Sequence, residues 1–149
     1  MKITSMTAFM VTATSTLAAP SPTVSDLQPL QLTNLNAAIY STSVPQTCFL
    51  FFDVTDPNTN TDTQCSAYWS IGMAGNKTYD CSDKAYRLHL PNGIYNIENI
   101  DLGVSRADGS ETGRSTVHGE SWKCEKQEYP KAKCRWDGIF HLDVAPSTL

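Results

Sequence analysis

Short segments rich in β-branched and aromatic residues recur along this chain, and clusters of turn-forming residues separate them. No segment keeps a helical spacing of apolar residues over ten positions or more. The pattern predicts one all-β domain, built as a single compact antiparallel β-barrel or sandwich. The predicted strands are 27–35, 48–54, 65–69, 85–90, 97–106, 115–124 and 139–144.

Alternation of apolar and polar residues predicts which side chains face the core. In the segment YRLHL, Tyr86 and Leu88 share the inward face, so His89 is predicted to point to solvent. The segment CFLFFDV, residues 48–54, is apolar on both faces. It is therefore predicted to be a strand covered on both sides, or one that lines a closed barrel.

The first eighteen residues resemble a secretory signal peptide, because Lys2 precedes a mostly uncharged stretch and small residues lead to a cut after Ala18. Residues 19–25 are predicted to form a flexible leader, and residues 26–149 the folded domain. The chain of 149 residues is only 17% charged, with a net charge of −4. This fits a secreted, extracellular protein with no general attraction to nucleic acid or to membranes.

Five cysteines follow the predicted cut and indicate a partial disulfide framework. Two bridges permit fifteen arrangements, and loop length alone does not select one. We expect Cys65 to pair with Cys81 and Cys124 with Cys134, because each bridge closes a short, polar, turn-rich loop. Cys48 is then left over, and its apolar neighbours favour a buried free thiol in a monomer. The alternative is an intermolecular bridge through Cys48 that makes a dimer.

No motif of nucleophilic catalysis occurs, so the chain is predicted not to be an enzyme and no catalytic residue is assigned. Weaker alternatives pair His141 with Asp143, or pair two carboxylates for glycoside hydrolysis. The acidic segment DVTDPNTNTD, residues 53–62, lacks the EF-hand pattern and is predicted to be a hairpin loop. No metal site and no cofactor are predicted. The carboxylates considered are Glu98, Asp101, Glu111 and Glu120.

Two features are predicted to lie at the surface. Asn76 begins the sequon Asn-Lys-Thr and is a predicted glycosylation site in a secreted protein. Basic and aromatic residues crowd the loop around the second expected bridge, where they form either a recognition surface or a solvated loop whose tryptophans cover one end of the domain. The candidate binding residues are Trp122, Lys123, Lys126, Tyr129, Lys131, Lys133, Arg135 and Trp136.

Five segments follow one another in the order DVTDPN, CSAYW, CSDKAYRLHLPNGIYNIENIDLGVS, HGESWKC and KCRWDGIFHLDV. This order resembles the AA1-like family of small secreted fungal proteins related to the Alternaria major allergen, and the resemblance extends from about residue 30 to residue 144. It implies a compact β-barrel with the two bridges expected above, and no established catalytic residues. The chain departs from the family pattern at Cys48 and in the insertion RADGSETGRS.

The resemblance also implies an origin in ascomycete fungi and a role as an allergen or as an elicitor of plant defence. We therefore expect a secreted effector, connected with virulence, that binds a host extracellular protein without catalysis. An alternative is a carrier of a small apolar or phenolic ligand, which the aromatic run at 49–52 and the three tryptophans favour. A cell-wall hydrolase is a weaker alternative.

Overall fold

The computed structural model describes residues 27–40, 46–70, 75–128 and 130–147, and within them it contains strands and turns but no helix. The all-β prediction is confirmed. No membrane-spanning helix is found among these residues. The predicted signal peptide 1–18, the leader 19–25 and Tyr129 lie outside the described ranges. The strands are β1 Leu30–Ile39, β2 Thr47–Asp56, β3 Thr61–Ser70, β4 Lys77–Asp80, β5 Tyr86–Leu90, β6 Ile100–Arg106, β7 Thr112–Val117, β8 Trp122–Lys126, β9 Ala132–Trp136, β10 Phe140–Leu142 and β11 Val144–Ala145.

The strands form two antiparallel sheets. The larger sheet has the order β3-β2-β1-β9-β8, with β10 also paired to β1, and the smaller sheet has the order β11-β7-β6-β5-β4. Apolar residues from both sheets belong to one hydrophobic core. No strand pairing among the described residues closes the sheets into a barrel.

A bulge in β1 allows one strand edge to pair with two different strands. Asn34 has a positive φ of 53°, and the register of β1 against β2 shifts between Thr33 and Asn36. Asparagine tolerates this backbone region better than most residues, and its side-chain amide donates to Asp53 Oδ2 at 2.7 Å. Before the bulge β1 pairs with β10, and after it β1 pairs with β9.

The last strands connect the two sheets. β10 belongs to the larger sheet, and only Asp143 separates it from β11, which pairs with β7 of the smaller sheet. Gly113 lies beside this crossing, where a Cβ atom would come within 2.6 Å of the Asp143 carbonyl oxygen. The chain can therefore cross between the sheets because residue 113 has no side chain.

The core contains alternate residues of each long strand. In β2, Leu50 and Phe52 are fully buried, whereas Phe49 and Phe51 are only partly buried. The expectation that segment 48–54 is covered on both faces is therefore wrong, although β2 does lie inside its sheet. The smaller sheet contributes inward residues at alternate positions of β5 and β6, which are Tyr86, Leu88, Leu90, Ile100, Leu102 and Val104.

Several strand boundaries differ from the sequence prediction. β1 is displaced from 27–35 to Leu30–Ile39, and the predicted strand 115–124 is two strands with a turn at Gly119, whose φ is 91°. β4 and β9 were not predicted. β9 lies partly in a segment rich in turn-forming residues, and it is held as a strand by pairing with both β1 and β8.

Both disulfides have the pairing expected from the sequence. The Cys65–Cys81 bridge joins β3 of the larger sheet to the residue that follows β4 of the smaller sheet. The Cys124–Cys134 bridge joins directly opposed residues of β8 and β9. Cys48 is a free cysteine with no exposed surface.

Candidate binding surface

Four aromatic side chains cluster on the outer face of the larger sheet. Phe49 lies opposite Tyr68 in the β2–β3 register, with ring centroids 4.6 Å apart. The rings of Phe49 and Phe51 are stacked at 6.3 Å, and that of Tyr40 lies 6.5 Å from Phe49. Tyr68 is 62% exposed and Tyr40 is 38% exposed. We call these four residues the aromatic patch.

Three cations lie on the same outer face. Lys133 pairs with Ala38 and Arg135 with Asn36 across β9 and β1, and Lys123 of β8 lies opposite Arg135. We call Lys123, Lys133 and Arg135 the basic strip. Lys123 donates to Asp137 at 2.6 Å, whereas Lys133 and Arg135 form no ion pair within the described ranges. Both cations are exposed, and Glu125 of β8 lies directly opposite Lys133 on the same face.

The strand register makes the aromatic patch and the basic strip parts of one surface. Because strands lie about 4.8 Å apart, a row across five strands extends over roughly 20 Å. Two rows of outward-facing residues cross the sheet from β3, the edge strand beside the aromatic patch, to β8, the opposite edge strand. One row is Tyr68, Phe49, Ala38, Lys133 and Glu125, and the next is Ser66, Phe51, Asn36, Arg135 and Lys123.

The predicted binding residues divide between this face and other parts of the molecule. Trp122, at the start of β8, is buried in the core, where its Nε1 donates to the carbonyl oxygen of Ile97 at 2.7 Å. Trp122 is thus a buried core residue and not part of an exposed surface. Trp136 is half-buried, packs edge-on against Phe140 at 4.8 Å and borders a depression of about 310 Å³ beside Lys133.

Lys126 and Lys131 line a different site, a cleft of about 480 Å³ at the ends of β8 and β9. Its apolar lining includes Ile39 and Ile97, and Tyr95 is 64% exposed at its rim. Glu98 also lines the cleft, so two lysines and one carboxylate border an apolar floor that suits the body of a small apolar ligand. No sequence signal pointed to it, because residues 95–98 are brought beside Lys126, Lys131 and Ala132 only by the fold.

The weaker catalytic candidates lie in different surroundings. His141 and Asp143 are both exposed, and no hydrogen bond joins them. Asp101 accepts hydrogen bonds from Thr116 and Asn92 in a polar cleft, and these bonds lower the pKa of its carboxyl group. The remaining carboxylates considered have separate surroundings: Glu98 and Glu120 are exposed, and Glu111 is buried.

The acidic segment 53–62 forms the β2–β3 hairpin, as predicted. Asp53 accepts a hydrogen bond from Asn34, and Asp62 accepts one from Thr55. Asp56 instead points inward and is fully buried. No cluster of three metal-ligating side chains occurs in the described part of the chain.

His89 is half-buried rather than solvated, which corrects the expectation from alternation. Its Nε2 lies 2.6 Å from Ser105 Oγ, and its Nδ1 lies 3.0 Å from Thr78 Oγ1. Burial, reinforced by the nearby Arg87, lowers the pKa of His89. Strand alternation assigned the correct face, but it could not show that neighbouring strands cover part of the ring.

Asn76 is exposed at the start of the segment that leads into β4, and its backbone has a positive φ of 60°. Its backbone N–H donates to the carbonyl oxygen of Pro91 at 2.7 Å. The side chain is therefore accessible to a glycan, and glycosylation stays a prediction.

Comparison with protein-family models, curated proteins and solved structures gave no match. The resemblance to AA1-like proteins therefore stays a prediction from the segments described above. Among the residues described, the outer face of the larger sheet combines several aromatic rings with two cations that form no ion pair, whereas the cleft beside Lys126 and Lys131 offers one aromatic ring, that of Tyr95.

Proposed function

We propose that this protein is a secreted effector that binds an acidic host protein in the extracellular space without catalysis. The observation that carries the proposal is the continuous outer face on which the aromatic patch adjoins the basic strip. Exposed aromatic rings supply contact area at low entropic cost, and nearby cations select a partner of opposite charge.

The charge distribution supports an acidic partner. The whole chain has a net charge of −4, so Lys133 and Arg135 form a local positive area on a negative molecule. A partner that places carboxylates over these two cations would be favoured, while the rest of the surface would repel it. An apolar side chain of the same partner would then reach Phe49, about 10 Å away across two strand spacings, and Tyr68, one strand further.

Secretion and family membership form part of the same proposal. Two disulfides are consistent with an extracellular protein, because such bonds persist in oxidising surroundings. Two antiparallel sheets around one core, with bridges at the positions that the AA1-like resemblance implies, support a compact sandwich or barrel of that kind. An ascomycete source and a role in virulence rest on the resemblance alone.

The test is a capture experiment with oxidised mature protein and plant extracellular fluid, with mass spectrometry of what is retained. Tyr68→Ala and Lys133→Glu should each abolish retention of a specific acidic protein. Lys84→Glu makes the same charge change at an exposed position outside the outer face of the larger sheet, and it should leave retention unchanged. Retention that is lost equally in all three variants, or in none, would reject this surface.

The cleft lined by Lys126 and Lys131 favours a second candidate function, the binding of a small phenolic or apolar ligand. Trp122 is hydrogen-bonded to Ile97, which lines the cleft, so tryptophan fluorescence should respond to a bound ligand. A titration with a phenolic acid should give saturable quenching that Tyr95→Ala weakens. Quenching that does not saturate would count against the carrier function.

A further inference from the structure

Two buried carboxyl groups meet where the two sheets adjoin. Asp56 is the last residue of β2 in the larger sheet, and Glu111 immediately precedes β7 in the smaller sheet. Asp56 is 0% exposed and Glu111 is 3% exposed. We call these two residues the acid pair.

The hydrogen bonds around Asp56 satisfy an ionised carboxylate. Its Oδ2 accepts from the Tyr86 hydroxyl at 2.6 Å and from Thr59 Oγ1 at 2.8 Å, and its Oδ1 accepts from the Asn58 backbone N–H at 2.8 Å. Three donors therefore converge on one buried carboxylate. Such an arrangement stabilises the charged form of Asp56.

The surroundings of Glu111, in contrast, favour a protonated carboxyl group. Its Oε2 accepts from Asn58 Nδ2 at 3.1 Å, but its buried Oε1 has no donor within the described ranges. Asn58 donates its backbone N–H to Asp56 and its side-chain N–H to Glu111, so one residue bridges the two buried carboxyl groups. A protonated Glu111 would donate to Asp56 and leave neither group unsatisfied, whereas two buried carboxylates would repel each other.

We propose that a single proton held between Asp56 and Glu111 locks the β2–β3 turn against the β6–β7 hairpin, and that loss of this proton releases the turn. The turn also anchors the beginning of the described chain, because Asn58 exchanges two hydrogen bonds with the backbone of Gln28, at 2.8 and 2.9 Å. With this shared proton, the turn would be held most firmly, and the protein would be most stable, in acidic surroundings. This device does not depend on the proposed binding function.

The charged groups around the pair agree with this assignment. Burial and the Asp56 charge raise the pKa of Glu111 to about 7, although Arg106 opposes the rise. Hydrogen bonds from Tyr86, Glu111, Thr59 and Asn58 together outweigh the effect of burial and lower the pKa of Asp56. Tyr86 is neutral near pH 7, and burial raises its pKa further above the ordinary value. The exposed Asp108 forms an ion pair with Arg106 at 3.2 Å.

The sign of the pH effect follows from these shifts. Between pH 4.5 and pH 7 the folded protein binds the Glu111 proton and the unfolded chain does not, so stability falls as pH rises through this window. Above pH 7 the contribution is constant. From pH 5 to pH 8 the folding equilibrium should shift toward the unfolded state by a factor on the order of 100 from this group alone.

Urea unfolding of the oxidised protein at pH 5 and pH 8 tests the device, with Glu111→Gln as the variant. The amide that this substitution introduces would donate an N–H to Asp56 at every pH, so the variant's unfolding midpoint should exceed the wild-type midpoint at pH 8 and not at pH 5. Glu98→Gln removes an exposed carboxylate and serves as the control. Burial lowers the pKa of His89, and its contribution is common to all three proteins and cancels. An equal pH dependence in wild type and Glu111→Gln would overturn the proposal.

Hydrogen exchange of the wild-type protein gives a second measurement that needs no variant. Protection factors at the Gln28 and Asn58 amides should fall between pH 5 and pH 8, because both amides donate within the turn network. The Leu50 amide, in the middle of β2, should keep its protection. Unchanged protection at Gln28 and Asn58 would show that the turn stays closed without the proton.

Discussion

Tyr68 packs against Phe49 across β3 and β2 with ring centroids 4.6 Å apart, yet 62% of its surface remains exposed. Folding alone gains little from an aromatic ring in such a position, since most of its area stays in water. Trp122 provides the contrast, because it is buried in the core. Substitution of Tyr68 should therefore affect binding more than stability, and substitution of Trp122 should affect stability.

Replacing Tyr68 by alanine should lower the free energy of unfolding by about 1 kcal/mol or less, because only the ring contact with Phe49 is lost. Replacing Trp122 by alanine should cost about 3–5 kcal/mol, because a buried ring and a hydrogen bond to Ile97 are removed. Urea titration measures both. Similar losses in the two variants would mean that Tyr68 supports the fold rather than a partner.

The bridge between Cys65 and Cys81 should contribute about 3 kcal/mol to stability, since it closes a loop of 16 residues. The double change Cys65→Ala and Cys81→Ala should therefore lower the melting temperature markedly. Cys48→Ala, which removes a sulfur atom from the core without breaking a bridge, should cost about 1 kcal/mol. If Cys48→Ala proved as damaging as loss of the bridge, the cross-link would not be the source of the stability.

The Cys48 thiol should be inert in the folded protein. It has no exposed surface, and burial raises its pKa to about 11, so the reactive thiolate is scarce at pH 8. A thiol reagent such as Ellman's reagent should detect no thiol in the native protein and one per chain in urea. A protein that shows no thiol even in urea would instead favour the dimer bridged through Cys48, and rapid labelling of the native protein would contradict the burial of the thiol.

A methyl group at position 113 should disturb the crossing between β10 and β11. Gly113→Ala places a carbon 2.6 Å from the Asp143 carbonyl oxygen, so the free energy of unfolding should fall by about 1–3 kcal/mol. Gly103→Ala on the neighbouring strand meets its nearest atom at 3.1 Å and should cost less. Thermal melts of the two variants make the comparison, and equal losses would contradict the role given to the crossing.

Much of the fold was predictable because strand alternation is a local property. The inward positions of Tyr86, Leu88 and Leu90 followed from their spacing, and so did the hairpin at 53–62. β9 was missed because its short sequence, AKCRW, carries little apolar signal until β1 and β8 pair with it. Turn-forming residues around it therefore dominated the local pattern.

The candidate surface was predicted in part. The basic residues of β8 and β9 were identified because they are close together in the sequence. Which of them lie on the outer face of the larger sheet and which line the cleft was decided by the strand pairing. The aromatic patch was visible in the sequence only as an apolar run at 49–52. Its position beside Lys133 required the pairing of β2 with β1 and of β1 with β9.

The sequence by itself determined the all-β class and the alternation of most faces, because these properties depend on neighbouring residues. It favoured the pairing of four cysteines but left other arrangements open, and the structure decided between them. The tertiary structure decided which polar groups are buried. Asp56 and Glu111 are far apart in the chain and lie in polar, turn-rich segments, so nothing local marks either as a core residue. They are buried together because the end of β2 packs against the β6–β7 hairpin, and such long-range packing has no signature in the local pattern.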